Sequence, residues 1–205
     1  MSKMLRTILV LGIMVLGLVA TAAAMGEKVD DPILESMPKG PRPRWTMGRA
    51  ADKDFFYAPG SAQYRKTSEA SARSAAITAA RAELVRLVQA DIVASIQSAD
   101  VEGGADNDGR DIRAQHYAET VMKERSVGTL ANASIAEAYF EKRYRKAEGP
   151  NDPYINYYVL VRVPQEDVKR YQQGVIRDAR NQALQNNNRL AVEALDKVRT
   201  HWDNE

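Results

Sequence analysis

Two histidines, His116 and His201, are the only imidazoles in the chain, and no cysteine accompanies them. Without cysteine there is no thiol nucleophile, no disulfide, no thiolate metal site, and no place to attach a lipid through sulfur. His116 falls within a predicted helix and His201 stands beside Trp202; neither has the spacing of a metal-binding pair such as HExxH. No GxSxG nucleophile elbow and no phosphate-cradling GxxxxGK[ST] loop occurs. Carboxylates are abundant, but none forms a pair that spacing alone places in one cleft. The residue types therefore point away from an enzyme, and no cofactor or metal is expected.

Two clusters remain. Ala99–Arg110 (ADVEGGADNDGR) is acidic and carries turn signals at Gly103-Gly104 and Asp108-Gly109. Aligning Gly109 with the invariant glycine of a calcium loop puts Gly104 and Gln115 at the first and last ligand positions, where neither serves. A solvated loop is the expectation. Tyr139–Lys146 (YFEKRYRK) interleaves aromatics with Lys142, Arg143, Arg145 and Lys146, a composition suited to a polyanion such as lipid headgroups, lipopolysaccharide or wall polymer. Strand alternation sends Lys142 to one face and Arg143 and Arg145 to the other. The same charges also suit an edge strand guarded against aggregation.

The first residues have a different character. Lys3 and Arg6 precede the uncharged run Ile8–Ala20, and Ala22-Ala23-Ala24 follows, which is the order of a secretory signal peptide. The run falls short of the roughly 20 residues a spanning helix needs. Export into the periplasm is expected, with cleavage near Ala24. The chain holds 29 basic against 27 acidic residues; loss of Lys3 and Arg6 with residues 1–24 leaves 27 of each. Formal neutrality argues against nucleic acid as a partner, which requires a basic surplus.

The elements that must position these residues follow from periodicity. Residues 25–48 read as a linker, with Pro32, Pro38, Pro41 and Pro43 blocking helix and ladder alike, and Trp45 positioned to pin the tail to the domain edge. Phe55–Ala58 reads as a short strand ended by Pro59-Gly60. Glu69–Ser98 is a long alanine-rich helix with an apolar stripe through Ile77, Ala80, Leu84, Val88, Ile92 and Ile96. Asp111–Lys123 is a second helix, and Ser126–Ala133 a connection. Ile135–Lys146 and Tyr154–Val163 form an antiparallel hairpin about the turn residues Glu148–Pro153, the second strand apolar on both faces. Gln165–Trp202 reads as one long helix, weakened at Gly174 and Asn186–Asn188. Its distal stripe, Ala191, Leu195, Val198 and Trp202, can fold back, pair with a second copy, or meet a partner helix.

The expected architecture is α+β: a small antiparallel sheet packed on a long helix over 49–164, with a long C-terminal helical extension over 165–205. Several segments then carry a family resemblance. Pro43-Arg44-Trp45, Phe56–Ala62 (FYAPGSA), Ala80–Leu84 (AARAEL, from Ala79) and Tyr157–Val163 (YYVLVRV) resemble the LPP-twenty lipoprotein family. The resemblance spans roughly Pro43 to Val163 on short motifs. It implies a compact secreted α+β domain, usually outer-membrane associated, similar in fold to the N-terminal domain of the flagellar assembly protein FlgT, and it carries over no catalytic residue. The chain departs from the family at the lipobox cysteine, which it lacks, and at Pro59, where a small or β-branched residue is usual.

The functional expectation is a non-enzymatic periplasmic or outer-membrane-associated structural or assembly protein. It would act through protein contacts, with another envelope protein or with itself, in an envelope or flagellum-associated complex. The distal stripe Ala191–Trp202 is the candidate contact surface. The alternative is a binding module for a small molecule or an anionic envelope component, using Lys142, Arg143, Arg145 and Lys146 or the mouth between helix and sheet.

Overall fold

The computed structural model describes residues 31–49, 51–65, 68–101, 109–125 and 132–203. The segment expected to be a signal peptide lies outside these residues, as do most of the acidic loop and most of the Ser126–Ala133 connection. No described helix is long and apolar enough to cross a membrane.

The chain is an α+β domain. Strands β1 (Ile33–Met37), β2 (Phe55–Arg65), β3 (Ser134–Tyr144) and β4 (Pro153–Pro164) make one antiparallel sheet in the order β1-β3-β4-β2. The predicted hairpin is β3–β4, and β4 is a central strand. Its alternation sorts Tyr157, Val159, Val161 and Val163 to the helix-covered face and Tyr154, Asn156, Tyr158 and Leu160 to the other, all buried.

Helix α1 (Glu69–Val101) crosses the first face. Its buried residues recur every fourth position: Ala72, Ala76, Ala80, Leu84, Val88, Ile92 and Ile96. At about 100° per residue, each step of four overshoots a full turn by about 40°, so the stripe winds around the helix. The alanine end of α1 lies on β2 and β4. Its Leu/Val/Ile end is turned toward three further helices: α2 (Arg110–Glu124), α3 (Gln165–Gln185) and α4 (Arg189–Asp203). Small residues face the sheet, where Ala76 and Ala80 lie on Gly60, and the large ones lie toward the helices.

β2 runs through Pro59-Gly60 rather than ending there. As an edge strand it has one neighbour among the described residues, and proline is tolerated where an N–H would point away from the sheet. Gly60 is required by contact: a Cβ there would lie 2.2 Å from the backbone nitrogen of Ala80 and 2.5 Å from the carbonyl oxygen of Ala76. The absent side chain lets α1 rest directly on the sheet.

The expected linker 25–48 is in part structural. Ile33–Met37 adds to the sheet as β1, paired with β3. The chain then crosses the second sheet face, with the short helix Arg44–Met47 against β2 and β4 and Trp45 half-buried. Composition alone missed this, because an edge strand of five residues fits between Pro32 and Pro38.

The C-terminal helix is two helices. Asn187 adopts a left-handed conformation (φ 54°), and the Asn188 side chain accepts a hydrogen bond from the Ala191 N–H at 3.2 Å, capping α4. The asparagine run is thus a turn, and α4 doubles back along α3. Val168, Tyr171, Val175, Ile176, Ala179 and Ala183 of α3 join Ala191, Ala194, Leu195 and Val198 of α4 in the same core as α1. Residues 165–203 are the C-terminal helical part of the fold, and its two helices pack into the same core as α1.

Candidate functional site

The basic residues of β3 do not converge. Arg143 is buried on the face away from α1; its Nε donates to Glu141 Oε2 at 2.7 Å and its Nη1 to the Asp31 carbonyl at 2.8 Å. Glu141 is fully buried and also accepts from Arg42, Nε at 3.1 Å and Nη2 at 2.7 Å, and from the Tyr139 hydroxyl at 3.2 Å. Burial pushes the Glu141 carboxyl up, but the hydrogen bonds and charges of Arg42 and Arg143 outweigh it and hold it below the ordinary glutamate value. Arg42 further lies 4.8 Å over the Tyr158 ring. Lys142 is half-buried on the opposite face, Arg145 donates to Glu148 at 3.1 Å, and Lys146 is exposed. A polyanion surface on Lys142, Arg143, Arg145 and Lys146 is therefore corrected: Arg143 belongs to a buried network that fixes the segment after β1 onto the sheet.

The distal stripe is corrected as well. Ala191, Leu195 and Val198 are buried in the chain's own core, and Trp202 packs half-buried against it. Of the three possibilities for this stripe, folding back is the one realised. It is not an open contact surface.

His116 and His201 are both exposed, on α2 and α4. Among the described residues no group of three or more His, Cys, Asp or Glu side chains could hold a metal ion. Ser36 and Lys39 have the Ser-x-x-Lys spacing, but they lie on β1 and in the bend after it, not on one helical turn that would bring amine to hydroxyl.

Two features that sequence reading did not single out are candidates for function. The first is β1. Its outer edge has no neighbour among the described residues, and Ile33, Leu34 and Met37 are 47%, 47% and 60% exposed. The second is a cavity of about 730 Å³ between α3, α4 and the end of α2. Arg125, Arg170, Arg177, Arg180 and Arg199 line it together with Tyr171, Ile176 and Trp202.

The arginines are held by acids. Arg125 pairs with Asp178, whose other oxygen accepts from Arg177 Nε at 3.1 Å. Burial raises the Asp178 carboxyl, and these two guanidiniums more than reverse it. Arg180 grips Asp196 with Nε at 2.7 Å and Nη2 at 3.1 Å, and Arg199 approaches the same carboxylate at 3.6 Å. Arg170 donates to Asp167 at 3.1 Å. Gly174 sits beneath Arg125: a Cβ there would come within 2.7 Å of Nη1. A mid-helix glycine costs helix stability, and here it makes room for a guanidinium. The helical spacing of Arg170, Gly174 and Arg177 was a signal for this face, but its partners Arg125 and Arg199 come from distant segments.

Compared with known proteins, the chain matches no family model, no curated protein and no solved structure.

Proposed function

We propose that the chain is a non-enzymatic structural or assembly protein of the periplasm or outer-membrane surface, part of an envelope or flagellum-associated complex, that engages a protein partner by strand addition at β1. The observation that carries this reading is the outer edge of β1. Edge strands are ordinarily blunted by lysine, proline or a bulge. β1 has a bulge beside Ile33 and prolines just outside it, but within Ile33–Met37 it carries three exposed apolar side chains and no basic residue. An extended segment laid along this edge would gain main-chain hydrogen bonds and bury those side chains. The order of residues 1–24 supports export, and the resemblance to LPP-twenty proteins supports an envelope setting.

The occupant is a segment of a different protein, apolar with one basic residue. Full antiparallel pairing of Ile33–Met37 with a second copy centres on Glu35 and sets two carboxylates opposite each other, which disfavours pairing. A Lys or Arg in the partner strand would instead complement Glu35.

Site-specific photo-crosslinking in the native host tests this. A photoreactive residue at Leu34 or Met37 should give one discrete crosslinked species with a second protein, and one at exposed Ile112 on α2 should not. Crosslinks to a second copy of the chain, or equal yields at Ile112, would overturn the reading.

A further inference from the structure

We propose that the cavity between α3, α4 and the end of α2 binds a phosphate ester carrying an apolar group, the head against the arginines and the apolar part against Trp202. This rests on observations independent of β1.

The volume, about 730 Å³, is that of a small-molecule site. The charge is right for an anion. Five guanidiniums line the cavity, and their direct carboxylate partners are Asp167, Asp178 and Asp196, so two positive charges are left over. The donors are right as well. A guanidinium has five N–H groups; Asp196 takes Nε and Nη2 of Arg180, and Asp178 takes Nη2 of Arg125. The remaining donors of these half-buried side chains are fixed in place by the pairs that hold them. Preorganised guanidiniums suit the planar, multidentate recognition of a phosphate. Arg170, Arg177 and Arg199 are 76%, 70% and 58% exposed, long arms at the rim able to close on a bound head. Trp202, half-buried at the cavity, gives an apolar wall that inorganic phosphate alone would leave unused, backed by Tyr171 and Ile176, which lie almost wholly in the core.

A phosphate ester on an apolar group can come from a lipid or from a soluble metabolite. Calorimetric titration of the full chain with dihexanoyl phosphatidic acid, phenyl phosphate and inorganic phosphate separates these sources. At least one of the two esters should bind at least about tenfold more tightly than inorganic phosphate, and the tighter one identifies the source. Affinity should fall as salt is raised. G174A, which displaces the Arg125 guanidinium while favouring the helix, should weaken binding about tenfold without lowering the melting temperature. R125Q provides a second variant, since Asp178 keeps Arg177. Binding of neither ester above the level of inorganic phosphate would overturn the proposal, as would affinity unchanged in both variants.

Discussion

Arg42 and Glu141 join the segment after β1 to the C-terminal half of β3: the guanidinium spans both carboxylate oxygens, at 3.1 and 2.7 Å, across a sequence separation of 99 residues. Glu141 is fully buried, and its second cation, Arg143, holds the Asp31 carbonyl ahead of β1. β1 is therefore clamped at both ends by one carboxylate. Removing a single member of a buried ionic network leaves the others uncompensated. E141A should cost about 3–5 kcal/mol in urea unfolding, and R42A less, because Arg42 is 28% exposed. The network also sets a pH limit. Because the folded-state value of Glu141 is lowered, its contribution is complete above the ordinary value of 4.5 and is lost as pH falls through the lower folded value. Wild type should lose stability on acidification below about pH 4.5, and E141Q should show a shallower loss over the same range.

The two glycines in close contacts predict opposite outcomes for the same substitution. At Gly60 a Cβ meets helix backbone at 2.2 Å, so α1 would have to lift from the sheet. G60A should destabilise by about 3 kcal/mol or more. At Gly174 the Cβ meets the far end of an arginine, which can swing away, and alanine is the better helix former. G174A should be neutral or slightly stabilising. Thermal melts of the two variants side by side decide the matter; a stable G60A would mean that α1 does not rest on Gly60.

Self-association through β1 is disfavoured by the Glu35 pair, and the apolar stripe of α4 is already buried. Light scattering should give the monomer mass at both low and high salt. A dimer that strengthens with salt, as screening relieves the facing carboxylates, would make the second copy the occupant of β1.

How much of this was legible in the sequence depended on whether the signal was local. The β3–β4 hairpin follows from period-two alternation in Tyr154–Val163, and the α1 stripe from its fourfold spacing. Pro59-Gly60 reads as a strand end because a sequence does not reveal that β2 is an edge or that a helix will press on Gly60. β1 is hidden by its prolines. The α3–α4 turn was visible in Asn186–Asn188 as a weakness, but its direction depends on Asn187 taking a left-handed conformation and on what α4 packs against. The arginine cavity was the least legible: Arg125 meets Gly174, and Arg180 meets Asp196, only once α2, α3 and α4 have packed together.

The most direct test of the central claim is hydrogen exchange at Ile33–Met37, measured on the chain alone and on the chain in complex with its crosslinked envelope partner. In the free chain the outward-facing amides of this edge should exchange readily; in the complex they should slow at least about tenfold, with the rest of the sheet unchanged. Unchanged rates at β1, with protection appearing on α2 or the α3–α4 hairpin instead, would contradict strand addition.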